Sequence, residues 1–218
     1  MAMPRSDRRR TAWWLLISAA LLLAPAAMPP GLSRAAMGAS ENLVPANFNP
    51  RSDALGFRWD INQRGSIMDG NNDCFDGAQD LFVNGNHFYP NNQMMTQDGL
   101  ELVLSGQMAG LQIVRRIRVR AKEGGVRYVE VFHNPGSGQV NVTAMLRACL
   151  GGNCQSVWSD QGRANAADLQ KGESGLLAYQ QPGHRPSVLL LLCGPRSKMR
   201  PAVTVQGNRT FQFTYTLA

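Results

Sequence analysis

Oxygen-bearing side chains recur along Asp69-Gly70-Asn71-Asn72-Asp73-Cys74-Phe75-Asp76-Gly77-Ala78-Gln79-Asp80, at positions 1, 3, 5 and 12 of a twelve-residue stretch. Alternating Asp and Asn in a tight loop converge their oxygens, which suits a hard cation that takes about six to eight of them. The segment reads as a candidate Ca2+ loop with Asp69, Asn71, Asp73 and Asp76 as ligands. It departs from the EF-hand pattern. Cys74 stands where a glycine permits the sharp turn, Asp80 stands where a longer Glu closes the shell, and no helical pattern flanks the loop. The same letters also describe an Asp/Asn-rich β-turn whose side chains bond their own backbone, and both readings stay open.

A second constellation lies between residues 111 and 133. Arg116, Arg118, Arg120 and Lys122 alternate with Ile117, Val119 and Ala121. In a strand, alternate side chains share a face, so four cations line one face of one strand. Such a row invites an anionic partner: an acidic (uronic-acid) polysaccharide, an anionic envelope component such as lipid headgroup phosphates, or another protein. It also serves as a solvated face that discourages edge pairing. Sugar recognition adds a requirement for rings on a wet face, and Tyr128 and Trp158 are the leading candidates, with Tyr89 and Tyr179 behind them. Trp59 alternates with Phe57 and Ile61 and belongs in the core.

Enzyme motifs are missing. The chain has no Gly-x-Ser-x-Gly, no His-Glu-x-x-His and no phosphate loop. His87, His133 and His184 are too scattered to argue for zinc. Glycoside cleavage needs only two facing carboxylates, and Glu101 and Glu130 lie on expected strands. Against it, Glu130 falls among Arg116, Arg118 and Arg120, which are expected to lower its pKa, whereas a general acid needs it raised. No catalytic residue is assigned.

The elements that carry these residues repeat with period two. Phe57, Trp59 and Ile61, Leu100, Leu102 and Leu104, and Phe211, Phe213, Tyr215 and Leu217 each alternate with other residues. Val188 to Cys193 is a continuous apolar run bounded by prolines, as for a central strand. Gly/Asn clusters separate the runs. The pattern predicts an all-β, antiparallel β-sandwich of about ten short strands in a single domain. Ala164 to Lys171 is the one helix candidate. Leu111 to His133 is the clearest hairpin, with Val129 and Val131 returning on the apolar face and Tyr128, Glu130 and Phe132 on the cationic one. That register brings Glu130 beside Arg118 or Arg120.

Asn62-Gln63-Arg64-Gly65-Ser66-Ile67-Met68-Asp69-Gly70, then Asn72-Asp73-Cys74-Phe75-Asp76-Gly77, Arg116-Ile117-Arg118-Val119 and Arg127-Tyr128-Val129-Glu130-Val131-Phe132-His133-Asn134-Pro135, resemble a module of large secreted bacterial proteins. That module is similar to the supersandwich of galactose-mutarotase-like domains, and the resemblance covers residues 57 to 145. It implies a β-sandwich and a bacterial host. It implies no mutarotase activity, because the required histidine and carboxylate pair has no counterpart here.

The first forty residues concern destination. Arg5, Arg8, Arg9 and Arg10 precede an apolar run from Trp13 to Ala27, the pattern of a cleavable export signal. The run is shorter than the ~20 residues of a spanning helix and ends at Pro25, Pro29 and Pro30. Cleavage is expected after Ala26 or near Ala36-Met37-Gly38, the later site preferred. The expected organisation is an export signal over 1–39, an extended lead-in over 40–53 and the sandwich over 54–218. The processed chain would be periplasmic or extracellular and would not span a membrane. Without residues 1–39, Lys plus Arg falls from 22 to 17 and Asp plus Glu from 15 to 14, leaving a net charge of +3 rather than +7. A general nucleic-acid role loses its support.

Four cysteines in an exported chain imply disulfides. Three connectivities exist, and Cys149 with Cys154 plus Cys74 with Cys193 is preferred, since Leu150-Gly151-Gly152-Asn153 reads as a hairpin loop. Together these readings predict a non-catalytic binding or structural module that meets an anionic glycan through its cationic strand. The alternatives are a calcium-dependent carbohydrate-binding module and a glycoside-active enzyme.

Overall fold

The computed structural model describes residues 14–23, 42–180 and 185–217. The expected n-region arginines, both cleavage positions and His184 lie outside the described residues. Within them the fold is all-β, with sixteen strands and a single 3-10 turn at Asn71–Asp73. The larger sheet has nine strands, in the order β12 (Ser156–Ser159), β13 (Gly175–Tyr179), β14 (Ser187–Leu191), β1 (Trp14–Leu23), β10 (Gly125–His133), β9 (Leu111–Arg120), β8 (Glu101–Met108), β7 (Asn92–Thr96) and β2 (Leu43–Pro45). The smaller sheet has five, β15 (Ala202–Gln206), β16 (Thr210–Leu217), β11 (Val142–Leu150), β5 (Phe75–Val83) and β6 (Asn86–His87). A short ribbon pairs β3 (Arg51–Ser52) with β4 (Arg58–Trp59).

Alternation builds the core between the two sheets. Leu104, Ile113 and Ile117 of the larger sheet and Leu146, Phe211 and Phe213 of the smaller are fully or almost fully buried in one cluster. Trp59 joins them, its indole N–H donating to Asp53 Oδ2 at 3.0 Å. Short edge strands account for most of the excess over the expected ten. Part of the lead-in, β2, pairs antiparallel with β7.

The hairpin forms, but its return strand faces the other way from expectation. Arg120 pairs with Gly125 across the turn, which sets Tyr128 opposite Ile117 and Glu130 opposite Arg115. Val126, Tyr128, Glu130 and Phe132 therefore point into the core, and Val129 and Val131 point away from it. Because the side-chain period is two, one residue of slip inverts every assignment on a strand. Lys122 sits in the exposed turn after β9 rather than on the strand.

Ala164 to Lys171 is not helical. Asn165 has φ 54°, and Arg163 ties the segment into a loop through Asp168 at 2.9 Å and Glu173 at 2.6 Å. The expected disulfides are also absent, and all four cysteines are free thiols. Cys149 lies on the outer face of β11 beside Thr210 Oγ1 at 3.6 Å, while the buried Cys154 thiol donates to the Asn208 carbonyl at 2.9 Å. Cys74 is fully buried, and burial pushes its thiol up to about 12, so it stays protonated. Cys193 faces the Glu173 carbonyl at 4.0 Å.

Of the apolar run read as the core of an export signal, the described part, Trp14–Leu23, is strand β1. It pairs parallel with β10 over eight positions, from Leu16 with Gly125 to Leu23 with Phe132. On its other side it pairs parallel with β14 over five positions, from Trp14 with Ser187 to Ser18 with Leu191. Among the described residues no helix is long and apolar enough to cross a membrane.

Candidate functional site

The cationic strand is matched charge for charge. Arg116 Nε donates to Glu101 Oε1 at 2.6 Å, and Arg118 reaches Glu101 Oε2 at 3.1 Å and Asp98 Oδ2 at 3.0 Å. Arg120 pairs with Glu123 at 2.6 Å. Three arginines thus meet three carboxylates on the outer face of the larger sheet, beside the apolar cluster of Val103, Val114 and Val131. Within the row each arginine is ion-paired, while Arg127 of β10, in register with Arg118 on the same face, adds a further cation whose Nε has no hydrogen-bond partner.

Tyr128 leaves this face altogether. It is fully buried, and its hydroxyl donates to the Gly65 carbonyl at 3.0 Å. Beside it, the buried Arg115 donates to Glu130 Oε1 at 3.0 Å, to the Arg64 carbonyl at 2.8 Å and to the Gln79 carbonyl at 2.7 Å. Its guanidinium also lies over the Tyr128 ring, 5.5 Å from the centroid. This one cation joins β9, β10, β5 and the loop at Arg64. Glu130 meets Arg115 and not Arg118 or Arg120, and burial raises its carboxyl above the ordinary range against the pull of Arg115. Glu101 pairs in register with Arg118, and Glu130 with Arg115. Positions 115 and 118 are an odd number apart, so the two glutamates lie on opposite faces of the sheet. They do not face each other across a substrate, as glycoside cleavage requires.

The Asp/Asn loop does not gather its expected ligands. Asp73 Oδ2 pairs with Arg185 at 2.6 Å, and Asp76 pairs with Arg209. The carboxylate that organises the loop is Asp60, which accepts from the Gly70 N–H at 2.8 Å and the Asp69 N–H at 3.3 Å. Asp69 is exposed and Asn71 half-buried in the 3-10 turn. Among the described residues, no group of three or more His, Cys, Asp or Glu side chains is placed to hold a metal ion.

A different constellation does come together, on the outer face of the smaller sheet and the adjoining loops. Asp80 on β5 is almost buried. It accepts from the Ser66 hydroxyl, and from Arg147 on the neighbouring β11 at 2.9 Å. Arg147 lies over Phe82, with its Cζ 5.0 Å from the ring centroid. Phe82 meets the His87 ring at 4.0 Å, His87 meets Tyr89 at 6.1 Å, and Arg64 lies 5.9 Å from the Tyr89 centroid. Burial alone would raise the Asp80 carboxyl. The Ser66 and Arg147 hydrogen bonds, with the Arg64 and Arg147 charges, hold it below its ordinary value, so it is ionised at neutral pH. Tyr89 is 64% exposed, more than any other exposed large hydrophobic side chain among the described residues. Trp158 is 38% exposed on β12, at the far end of the larger sheet, where it donates to Ser156 Oγ at 2.8 Å.

The sequence reading named Tyr89 and, as the last loop position, Asp80, but neither Arg64 nor Arg147 beside them. Asp80 and Phe82, two apart on one strand, are a readable signal. The contribution of Arg147 depends on the β11–β5 register, which shifts next to it at a bulge. Compared with known proteins, the chain matches no family model, no curated protein and no solved structure.

Proposed function

We propose that the chain is an exported, non-catalytic β-sandwich binding module of the cell envelope or extracellular space, and that it docks a glycan on Tyr89. The observation that carries this reading is the exposed Tyr89 ring, flanked by His87 and by Arg64, whose charge also acts on the ionised Asp80. A sugar's apolar face stacks on an exposed ring, while arginine and imidazole donors meet its hydroxyl or carboxylate oxygens. Arg64 favours sugars that carry an acid group, which keeps the acidic-polysaccharide class from the sequence and moves its place. The balanced row at Arg116, Arg118 and Arg120 supports the fold rather than the ligand. Calcium has no role in this reading, because Asp73 and Asp76 already hold arginines. Catalysis has none either, because the two candidate carboxylates lie on opposite faces.

The test is retention on immobilised acidic and neutral polysaccharides. Tyr89→Ala should weaken retention at least tenfold, in keeping with the ~1.5 kcal/mol an aromatic contact contributes. Arg116→Ser with Arg118→Ser should leave it unchanged in any variant that folds. Retention lost in the arginine variant and kept in Tyr89→Ala would return the binding surface to β9 and refute this assignment.

A further inference from the structure

β1 is the one strand whose ladders are parallel; every other pairing among the described residues is antiparallel. It is also the one strand drawn from the segment that export would remove. Without it, β10 and β14 face each other across one strand's width, roughly 9.5 Å, twice the ordinary interstrand spacing. Their backbone donors and acceptors then line a slot in the middle of a sheet. Unpaired strand edges of this kind are templates for another chain.

The two walls of the slot are anchored to other parts of the molecule rather than to each other. On one side, the Tyr215 hydroxyl of β16 donates to the Leu192 carbonyl just after β14, at 2.7 Å. On the other side, Arg115 and Tyr128 fix β9 and β10 to Arg64, Gly65 and Gln79. Val188 and Leu190 of β14 and Val126 and Phe132 of β10 face the common core. Closing the slot would drag one wall across that packing. The β10 wall also holds an unmet acceptor, since Glu130 is fully buried and its Oε2 has no hydrogen-bond partner.

We propose that the mature chain uses this slot to dock an extended, apolar segment of another polypeptide, which enters parallel to β10 and β14 and completes the sheet. The export segment holds the place until it is removed. Main-chain hydrogen bonds supply affinity in such strand addition, and side-chain positions supply selectivity. The preferred partner carries a hydroxyl or amide donor at the position in register with Glu130, where the chain's own segment has Leu21. The proposal rests on the export reading and is independent of the Tyr89 surface.

The experiment expresses the full chain in an exporting bacterial host and measures the mass of the recovered protein. It then adds a peptide of the Trp14–Leu23 sequence, with lysines appended for solubility. A chain cleaved after Ala26 or later should bind the peptide saturably, with a rise in unfolding midpoint of roughly 5 °C at a hundredfold excess over the dissociation constant. Amides of β10 and β14 should gain exchange protection, and a Leu21→Ser peptide should bind several-fold more tightly. A scrambled peptide that binds equally well, or β10 and β14 amides already protected without peptide, overturns the docking site. A recovered mass that retains residues 14–23 overturns the export reading instead, and makes β1 a permanent strand. Equal or weaker binding of the Leu21→Ser peptide overturns the assigned contact with Glu130.

Discussion

Asp80 shows how a side chain can hold a surface together through its charge. Its carboxylate gathers Ser66 and Arg147, and Arg147 in turn covers Phe82, which begins the ring sequence leading to Tyr89. Burial opposes the charge, but hydrogen bonds and two nearby arginines prevail, so the folded carboxyl titrates below its ordinary 3.8. A depressed folded pKa adds stability that is complete above the unfolded value and is lost as pH falls through the folded one. Asp80→Asn should therefore cost about 1–3 kcal/mol at pH 7, the range for a buried charge-assisted hydrogen bond. The gap from the wild type should shrink as the pH drops below 3.8 toward the folded value. Urea unfolding of both proteins at several pH values checks this. A gap that does not change with pH would mean that shape, and not charge, gives Asp80 its role.

At the scale of elements, the strands with clean alternation were legible, because the side-chain period alone assigns their faces. Phe211, Phe213, Tyr215 and Leu217 of β16 are all buried, as are Leu102 and Leu104 of β8. The inner face of β10 was not legible, because the Arg120–Gly125 pairing across the turn decides it, and no alternation within the strand reports that. The proposed binding surface was illegible for a related reason. Arg64, Asp80, His87, Tyr89 and Arg147 come from a loop, two strands of one hairpin, the link beyond it and a third strand distant in sequence. The junction between β11 and β5 adds a testable close approach. Gly151 donates its N–H to the Cys74 carbonyl at 3.1 Å, and a Cβ there would overlap the Asp73 carbonyl. Gly151→Ala should cost about 1–3 kcal/mol by forcing the end of β11 away from the Asp73 turn. Gly138→Ala meets nothing within 4 Å and should stay within about 0.5 kcal/mol of the wild type in the same urea titration.

Across the whole molecule the two sheets share one core, and this decides how the wing of β12, β13 and β14 behaves. Val157, Leu176, Ala178, Val188 and Leu190 of that wing belong to the same buried cluster as Trp59, although among the described residues the only sheet hydrogen bonds joining the wing to β10 run through β1. In a chain that lacks β1, as the proposed export would leave it, packing and not the ladder must carry cooperativity, since burial of this kind contributes about 25 cal/mol per Å2 wherever the backbone pairs. After removal of residues 1–39 only Trp59 and Trp158 remain, one fully buried and one on the wing. In Trp158→Phe of the processed chain, Trp59 fluorescence and far-UV circular dichroism should therefore give the same thermal midpoint, as for one cooperative unit. A Trp59 midpoint several degrees above the dichroism midpoint would show the wing melting first. The seam would then lie at the slot between β10 and β14, and the sheet ladder through that position would be the stronger bond between the two halves of the molecule.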